Sequence, residues 1–223
     1  MEVKKAVLTF TGTNLRKADI PKFRGYLSKK YPKYDLIHNH LKNGKLRYSY
    51  PLVQFKAVDS HPTIIAINDG IDILKEVFLE LGDMKIGERK ETIHEKSIIL
   101  KKEKFGVSEE YNDYKFASPW MALNQENYRK YMKLNRYDQR AFLKHLLREN
   151  LKTVSKGFNY RIPEIEKVKV DGDFIKREVN FKNLKMLCFT GKFITNFYIP
   201  DYLGIGKQVA RGFGAVEAFR KQG

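Results

Sequence analysis

Two histidines, His38 and His40, stand one residue apart in the segment LIHNHLKNGKLRYSYP and are well suited to proton transfer. Imidazole titrates at about pH 6.5, so either ring could give or take a proton at neutral pH. Acid–base chemistry, a metal site and two solvated side chains are the three explanations open for the pair. The metal site has least support, because no third ligand lies nearby in the sequence and the flanking cations would repel a divalent ion.

The histidines are predicted to lie on one face of a β-hairpin. Asn43-Gly44 separates two strand-like runs, 35–42 and 45–55, and Asn-Gly between such runs is the strongest short signal for a two-residue turn. Residues that face each other across this turn point to the same side of the sheet. One side is therefore expected to be wholly polar: His38, His40, Lys42, Lys45, Arg47 and Ser49.

A cationic face with two imidazoles suits RNA cleavage, because RNA carries its own nucleophile, the ribose 2′-OH. One group would remove the 2′-OH proton, another would protonate the leaving 5′ oxygen, and a cation would stabilise the crowded phosphorane. This chemistry needs no metal, and no cofactor is expected. Tyr26, on the first predicted helix beside Lys22 and Lys29, is a candidate for orienting the 2′-OH. The alternative is a partly exposed aromatic residue without a catalytic role.

The net charge favours a polyanionic partner. Lys and Arg number 43 against 26 acidic residues, which gives +17 for the 223 residues. A field of this sign attracts nucleic acid and speeds its encounter with the protein. A solubilising surface rich in lysine is the alternative, but such surfaces usually carry glutamate in balance. An anionic membrane surface is the least supported partner.

Other bulk features restrict the class of protein. The single cysteine, Cys188, excludes an internal disulfide and a cysteine-rich zinc site, and it fits a reducing cytoplasm. No apolar run is long enough to span a membrane, and the first residues lack the pattern of a signal peptide. We therefore expect a cytoplasmic protein with no membrane partner.

A second cationic surface is predicted on a long helix in the second half of the chain. Apolar residues recur at helical spacing from Phe142 to Val154. Beside that stripe a Lys or Arg recurs every four residues, and each like-charged neighbour costs about 0.2–0.5 kcal/mol. The row is expected either to bind phosphates, which would relieve the repulsion, or to be a solvated face: Arg140, Lys144, Arg148, Lys152 and Lys156.

Near the C-terminus, the segment GIGKQVARGFG contains two pairs of glycines. It lacks the third glycine of a dinucleotide fingerprint and the Gly-Lys-Ser/Thr of a P-loop. It also lacks the stacking aromatics of an RNA-recognition motif. We expect the glycines to let backbone N–H groups approach phosphates, as in an anion-binding nest. A turn that merely packs against the first domain is the alternative. The predicted RNA-binding residues are Gly204, Gly206, Lys207, Arg211, Gly212, Phe213 and Gly214.

The order of predicted elements gives the fold class. The first half reads as strand, helix, hairpin, helix and strand, which is the order of a ferredoxin-like unit. The second half reads as a less regular unit of the same type, with a hairpin at 167–180 around Asp171-Gly172. We therefore predict an α+β protein with two tandem ferredoxin-like (βαββαβ, RRM-like) domains and antiparallel sheets. The first, 1–102, holds the histidine hairpin and the second, 111–223, holds the glycine-rich loop.

The spacing G-x-G-x5-G-x-G just before the last predicted strand resembles the CRISPR-associated repeat-processing endoribonucleases of the RAMP superfamily. YKFASPWMALNQENY and YSYPLVQFK are also similar to one branch of that family. The resemblance covers most of the chain and implies two ferredoxin-like domains. It also implies metal-independent cleavage of CRISPR precursor RNA within the repeat, by 2′-OH attack. The products would be a 2′,3′-cyclic phosphate and mature CRISPR RNA.

The resemblance further implies roles for particular residues. His38 is favoured over His40 as the catalytic histidine, with Tyr26 and Lys45 as further catalytic candidates. Arg47, on the cationic face of the predicted hairpin, is expected to contact the RNA backbone. CRISPR repeat RNA is the expected partner, subunits of a CRISPR effector complex are further candidates, and a monomer and a homodimer both stay open. The rival functions are a non-catalytic RAMP subunit that binds CRISPR RNA and a structural RNA-binding protein.

Overall fold

The computed structural model of the protein describes residues 1–38 and 50–219, with the His38 side chain left out. The chain forms two compact units. The first consists of Glu2–Glu103 together with the short segment Ala210–Gly212. The second consists of Met1, Lys104–Val209 and the residues from Phe213 onward. Each unit is built on its own four-stranded sheet.

The first unit has the ferredoxin-like strand order. Its sheet runs β2-β3-β1-β6, with β1 and β2 both antiparallel to β3 between them. The elements are β1 (Glu2–Thr9), α1 (Ile20–Lys30), α2 (Asp35–His38), β2 (Val53–Val58), β3 (His61–Ile67), α3 (Ile71–Glu80), β4 (Asp83–Ile86), β5 (Arg89–Thr92) and β6 (Ser97–Lys104). Strands β4 and β5 form a separate two-stranded ribbon.

Helix α1 begins where the sequence predicts it. Pro21 occupies its first turn, where a missing N–H costs nothing. Ile20, Phe23 and Leu27 are buried, and Phe23 packs edge-on against the rings of Phe10 and Phe55. The carboxylate of Asp19, just before the helix, accepts from the guanidinium of Arg16 at 2.7 Å. This packing fixes α1, and with it every side chain that α1 carries towards the candidate site.

The strand predicted at 35–42 is wrong at its start, because Asp35–His38 forms the single helical turn α2. Buried Ile37 anchors this turn in the core of the first unit. The neighbouring Leu36 also packs against that core, so apolar contacts do not alternate as a strand requires. Residues 39–49 of the predicted hairpin, with His40, Lys45 and Arg47, lie outside the described residues, and its last residues, 53–55, begin β2.

The hairpin that the structure describes in the first unit joins β2 to β3. It turns at Asp59-Ser60, whose φ angles are both positive, 49° and 65°. Two residues of this conformation match the right-handed twist of the strands. The sequence signal is weak here because neither residue is glycine.

The second unit repeats the strand order of the first, β10-β7-β9-β8. Its elements are β7 (Gly106–Phe116), α4 (Gln125–Lys133), α5 (Arg136–Gly157), β8 (Val170–Phe181), β9 (Leu184–Tyr198) and β10 (Val216–Ala218). The side chains of Asn124 and Asn135 cap α4 and α5 by accepting from backbone N–H groups. Before the last strand the first unit has helix α3. The second unit has the glycine-rich segment at that point, with one short 3₁₀ turn at Val209–Arg211.

The hairpin predicted around Asp171-Gly172 is wrong. Strand β8 continues through these residues and pairs with β9 over its whole length, and the turn lies at Lys182-Asn183, with φ of 51° and 62°. Gly172 is needed for packing and not for a turn. A Cβ at Gly172 would lie 2.6 Å from the Cβ of Phe193 on the neighbouring strand. Glycine in a strand can indicate such a close approach as well as a turn.

The long helix α5 presents its apolar stripe to the protein interior as predicted. Its buried side chains are Leu143, Leu146, Leu147, Leu151, Val154 and Ser155. Phe142, predicted to belong to the stripe, is half-buried. Among the described residues, no helix combines the length and apolarity needed to cross a membrane.

Replacing Ser60 with glycine should stabilise the first unit. The left-handed conformation of Ser60 costs an L-residue about 1 kcal/mol that glycine does not pay, so Ser60→Gly should raise the free energy of unfolding by about that amount in urea denaturation. Ser97→Gly is the matched control, because Ser97 is exposed at the start of β6 in extended backbone. It should lower stability by about 0.5–1 kcal/mol. Equal effects at both positions would contradict the turn assignment.

Candidate nucleic-acid interface

Arg24, in the middle of α1, holds the backbone of the segment that ends in His38. Its Nη2 donates a hydrogen bond of 2.8 Å to the carbonyl oxygen of Ile37. His38 is the next residue, so this bond fixes the main chain beside the predicted catalytic histidine. The sequence did not single out Arg24, because nothing in its neighbours distinguishes it from the other cations of α1.

Arg211, in the glycine-rich segment, lies near enough to Arg24 for its charge to act on the Arg24 guanidinium. The next residue, Gly212, lies directly on α1, where a Cβ would be 2.5 Å from Cδ1 of Ile20. Ile20 precedes Arg24 by four residues, so the two lie on the same face of the helix. Burial, and to a smaller extent the positive charge of Arg211, lowers the pKa of Arg24 to about 10. Arg24 therefore remains protonated at neutral pH.

The glycines of this segment are required by close packing. At Gly206, φ is +95° and a Cβ would lie 2.6 Å from Nε1 of buried Trp120. At Gly214, φ is +64° and a Cβ would lie 1.9 Å from the carbonyl oxygen of Ile205. Gly204 forms an isolated β-bridge with Ala215. Gly206 and Gly214 therefore exclude side chains for steric reasons.

Several backbone N–H groups of the segment donate to protein carbonyls and not to an open nest. The N–H groups of Ile205, Lys207 and Gly214 donate to the carbonyl oxygens of Gly214, Met121 and Pro119, at 2.8, 3.0 and 2.9 Å. The predicted nest is therefore wrong for these three donors. The charge that the segment offers comes from side chains, the exposed Lys207 and the half-buried Arg211.

Phe213 is a core residue of the second unit. Its ring packs edge-on against Phe181, 5.3 Å between centroids, and it belongs to a cluster with Met121 and Cys188. Only 8% of Phe213 is exposed, which leaves little surface for stacking on a base. Its predicted role in RNA binding therefore has no support from its position.

The basic row on α5 is partly neutralised by strand β8. Arg140 approaches Asp173 at 3.1 Å and Asp171 at 3.5 Å, and Lys144 pairs with Asp171 at 2.7 Å. The hydrogen bond from Lys144 is the main reason why the pKa of Asp171 lies below its usual value. These pairs help α5 to pack against β8, so the like-charge repulsion along the row is reduced without RNA.

The other end of the row borders a cavity. Lys152 and Lys156 line a space of about 630 Å³ at the C-terminal end of α5, together with Arg161 and Tyr160. None of the residues predicted for RNA binding at the glycine-rich segment lines it. The row is therefore not one uniform surface, because its two ends have different surroundings.

Tyr26 is partly buried and already hydrogen-bonded. Its hydroxyl donates to the carbonyl oxygen of Asp83 at 3.1 Å, and Nζ of Lys30 donates to the same hydroxyl at 3.4 Å. Lys30 also lies over the ring, 5.8 Å from its centroid. In this arrangement the phenol proton is directed at the protein, so towards a ribose hydroxyl Tyr26 could act only as an acceptor.

Lys56, on β2, is a titratable group that the sequence did not reveal. Burial lowers its pKa to about 7, a value suited to proton transfer at neutral pH. Only 2% of the residue is exposed, however, and it faces Thr63 across the sheet among buried polar side chains. RNA in solution cannot reach its amine in this conformation, so Lys56 is a structural residue here.

Three predicted site residues, His40, Lys45 and Arg47, lie outside the described residues and stay predictions, as does the chemistry of the His38 side chain. Within residues 1–38 and 50–219, no three His, Cys, Asp or Glu side chains come together as a metal site would need.

Comparison with known families identifies the chain. The model of the Cas6b N-terminal domain matches residues 1–104, and that of the Cas6b C-terminal domain matches residues 106–219. The protein belongs to the Cas6b family. The predicted membership of the CRISPR repeat-processing group is thereby confirmed.

Solved structures agree with this assignment. A crystal structure of Cas6b is 37% identical, covers 98% of this chain and 100% of its own, and gives a TM-score of 0.93. A second, described as the CRISPR RNA processing endoribonuclease Cas6b, is 34% identical with the same coverage and a TM-score of 0.80. A Cas6-related structure from Pyrococcus furiosus is only 14% identical, covers 100% of this chain and 99% of its own, and at a TM-score of 0.59 shows the fold alone. The predicted tandem ferredoxin-like fold is confirmed.

Among curated sequences, the uncharacterized protein MJ0978 of Methanocaldococcus jannaschii is 40% identical over 120 residues. The match covers 52% of this chain and 79% of MJ0978.

The glycine-rich segment should not tolerate even one added methyl group at Gly214. In Gly214→Ala the left-handed backbone would lower the stability of the fold by about 1–2 kcal/mol. The new Cβ would also displace the carbonyl of Ile205. We expect a loss of at least about 2 kcal/mol in the free energy of unfolding, measured in urea. Gly25→Ala is the matched control, because a Cβ at Gly25 on α1 meets nothing within 4 Å. It should gain about 0.5–1 kcal/mol. A neutral Gly214→Ala would show that the segment does not pack as described.

Proposed function

We propose that this Cas6b protein is an endoribonuclease that cleaves CRISPR precursor RNA within the repeat. The observation that carries the proposal is the match to both Cas6b domains along almost the whole chain. One solved relative of that family is described as a CRISPR RNA processing endoribonuclease. The net charge of +17 supports a polyanionic substrate.

The proposed reaction uses the ribose 2′-OH and no metal. A base takes the 2′-OH proton, the 2′ oxygen bonds to the adjacent phosphorus, and the bond from phosphorus to the 5′ oxygen breaks. An acid then supplies the proton that the 5′ oxygen needs. The products are a 2′,3′-cyclic phosphate and a 5′-OH end, and no water is consumed. Mature CRISPR RNA is one of the two fragments.

His38 and His40 are the proposed proton-transfer groups, with His38 favoured, and Lys45 is the proposed cation for the phosphorane. The position of His38 gives this scheme a structural basis, because its main chain follows the carbonyl of Ile37 that Arg24 holds. Tyr26 is a weaker candidate than the sequence suggested, since its hydroxyl proton is donated to Asp83. If it takes part, it accepts a hydrogen bond from the 2′-OH.

Several cationic groups are proposed to bind the RNA backbone. Lys207 and Arg211 would do so from the glycine-rich segment, Arg47 from the histidine segment, and Arg140, Lys144 and Arg148 from α5. Repeat RNA in the prokaryotic cytoplasm is the proposed partner, with CRISPR effector subunits as a second kind of partner. The division into a domain at 1–102 and one at 111–223 is part of the same proposal.

Cleavage of repeat RNA in the presence of EDTA tests the function and the mechanism together. The purified protein should cut a repeat RNA from the CRISPR array of its own genome and leave a 2′,3′-cyclic phosphate. It should leave the same RNA intact when the scissile nucleotide lacks its 2′-OH. Loss of a proton-transfer group should slow single-turnover cleavage by about 10²–10⁴-fold in His38→Ala or His40→Ala. His145→Ala, at an exposed position of α5, is the control and should cleave normally.

Each other outcome of that experiment has a distinct meaning. Full activity of both histidine variants would remove the histidine mechanism, and a requirement for a divalent ion would remove the metal-independent scheme. Tight binding of repeat RNA without cleavage would favour a non-catalytic RAMP subunit. Equal binding of unrelated RNA without cleavage would favour a structural RNA-binding protein.

The contribution of α5 can be measured as the salt dependence of RNA binding. Arg148 suits this test better than Arg140 or Lys144, because in the described part of the chain those two already contact carboxylates and Arg148 does not. Arg148→Gln should reduce the slope of log K against log salt by about 1 if the side chain binds one phosphate. Lys75→Gln on α3 removes the same charge from an exposed surface pair and is the control. An unchanged slope in Arg148→Gln would exclude that contact.

A further inference from the structure

Helix α4 and the start of α5, in the second unit, expose three large apolar side chains close together in the sequence. The structure describes all nine residues of α4, and of these only Tyr131 is buried. Tyr128 and Met132 of the same helix are 44% and 54% exposed, and Tyr137 at the start of α5 is 83% exposed. A group of exposed apolar side chains indicates a contact surface more often than a single one does. We call residues 128–137 the α4–α5 corner.

The α4–α5 corner is held in a fixed shape by Gln139 of α5. Its Nε2 donates to the carbonyl oxygens of Tyr131 and Leu134, both at 3.1 Å. Its Oε1 accepts from Nζ of Lys176 on β8 at 3.0 Å. The two ends of Gln139 thus join the last turn of α4, the first turn of α5 and the sheet. The exposed side chains of the corner therefore start from a pre-formed backbone.

Cations lie beside the exposed apolar side chains. Tyr128 and Met132 are four residues apart and share one face of α4, and Arg129 and Lys133 form the neighbouring row at the same spacing. Arg136 follows at the first position of α5. None of these three cations forms an ion pair with a carboxylate in the part of the chain that the structure describes. Like charges at this spacing repel each other, and a bound anion would relieve the repulsion.

The acidic side chains next to the corner already have partners. Glu126 pairs with Lys130 at 2.6 Å, and the carboxylate of Asp138 accepts from Nδ2 of Asn135 at 2.7 Å. Residues 125–137 carry four cations and a single acidic residue. The corner is therefore a positively charged surface with exposed aromatic rings.

Exposed aromatic rings interleaved with cations are typical of surfaces that bind single-stranded nucleic acid. A base stacks on the flat face of the ring while the cations contact the phosphates on either side, and any base can take part. The bases of a duplex are already stacked on each other and are not available for this contact. A row of cations without acidic partners favours a polyanion over a protein, since charged residues are depleted at the centre of protein interfaces.

We propose that the α4–α5 corner binds a single-stranded segment of the RNA. Tyr128 and Tyr137 stack on bases, and Arg129, Lys133 and Arg136 bind phosphates. The inference rests on the proposed function for its substrate, but it concerns a surface separate from the histidine segment and the glycine-rich segment. It assigns the corner to affinity for unpaired RNA.

Substitutions of Tyr128 test whether a ring stacks on a base. Tyr128→Ala should lower the affinity for repeat RNA without the scissile 2′-OH at least about fivefold. Tyr128→Phe keeps the ring and should bind within about twofold of the original protein, whereas Tyr128→Leu keeps apolar area without a flat ring and should bind as weakly as Tyr128→Ala. Full affinity in Tyr128→Leu would overturn base stacking. Tyr111→Ala is the matched control, because Tyr111 is 59% exposed on β7 beside Glu109 and Glu110, and its affinity should not change.

The same RNA annealed to its complement tests the preference for a single strand. Tyr128→Ala and Tyr137→Ala should each weaken binding of the single strand and leave binding of the duplex unchanged, because paired bases cannot stack on either ring. Equal losses for the duplex and the single strand would overturn the assignment to unpaired RNA.

The cations of the corner can be tested through the salt dependence of binding. Arg129→Gln and Lys133→Gln should each reduce the slope of log K against log salt by about 0.7, the contribution of one phosphate in a single strand. Lys185→Gln removes the same charge from an exposed pair with Glu178 in the same unit and should leave the slope unchanged. An unchanged slope in both corner variants would overturn phosphate binding there.

Photocrosslinking locates the bound strand directly. Repeat RNA containing 4-thiouridine should crosslink to residues 128–137, and crosslinks confined to other parts of the chain would overturn the proposal. Circular dichroism and urea denaturation check that each variant folds. If Tyr128→Ala does not fold, Tyr137→Ala supplies the same comparison.

The failure of this inference can be told apart from the failure of the proposed function, because binding of uncleaved RNA does not depend on catalysis. If the protein cleaves repeat RNA and the corner variants bind the single strand as the original does, the function stands and the corner binds no RNA. If the protein cleaves no repeat RNA but Tyr128→Ala and Tyr137→Ala lose affinity for the single strand, the function is wrong and the corner still binds RNA.

Discussion

The contact between Gly212 and Ile20 is the constraint on which the candidate site depends. A Cβ at residue 212 would lie only 2.5 Å from Cδ1 of the isoleucine, and the φ of +94° would strain any other residue there. Arg24, one helical turn after Ile20, in turn holds the carbonyl of Ile37. The packing of residue 212 and the hydrogen bond to the start of the histidine segment therefore meet on one helix.

The glycine-rich segment takes the place that a helix occupies in the first unit. Helix α3 contributes buried Ile73, Leu74 and Val77 to its core, whereas the segment of the second unit contributes tight turns and charge. Its N–H groups at Ile205, Lys207 and Gly214 are used to hold the turns together. The ferredoxin-like framework tolerates this exchange because the last strand, β10, still pairs with β7. A helix has thus been replaced by a segment of tight turns without a change of strand order.

The sequence predicted best where a local rule and the tertiary packing agree. Helix α1 carries both a proline start and a regular apolar stripe, and the structure has it as predicted. Asp171-Gly172 resembles a turn, but residue 172 is glycine because Phe193, on the neighbouring strand β9, leaves no room for a Cβ. Arg24 could not be found for a similar reason, because its hydrogen-bond partner, the carbonyl of Ile37, is set by the fold. The glycine-rich segment was correctly recognised by its spacing, but spacing alone did not reveal which N–H groups would be occupied.

The assignment of Ala210–Gly212 to the first unit also has a consequence for biosynthesis. Domains generally fold as the ribosome releases them, N-terminal first. Strands β1, β3 and β2 can pair early, but residues 210–212, which complete the unit, emerge only after the whole of β9 has been made. A nascent chain can therefore have a folded first sheet before Gly212, the residue that packs on α1, is available to it.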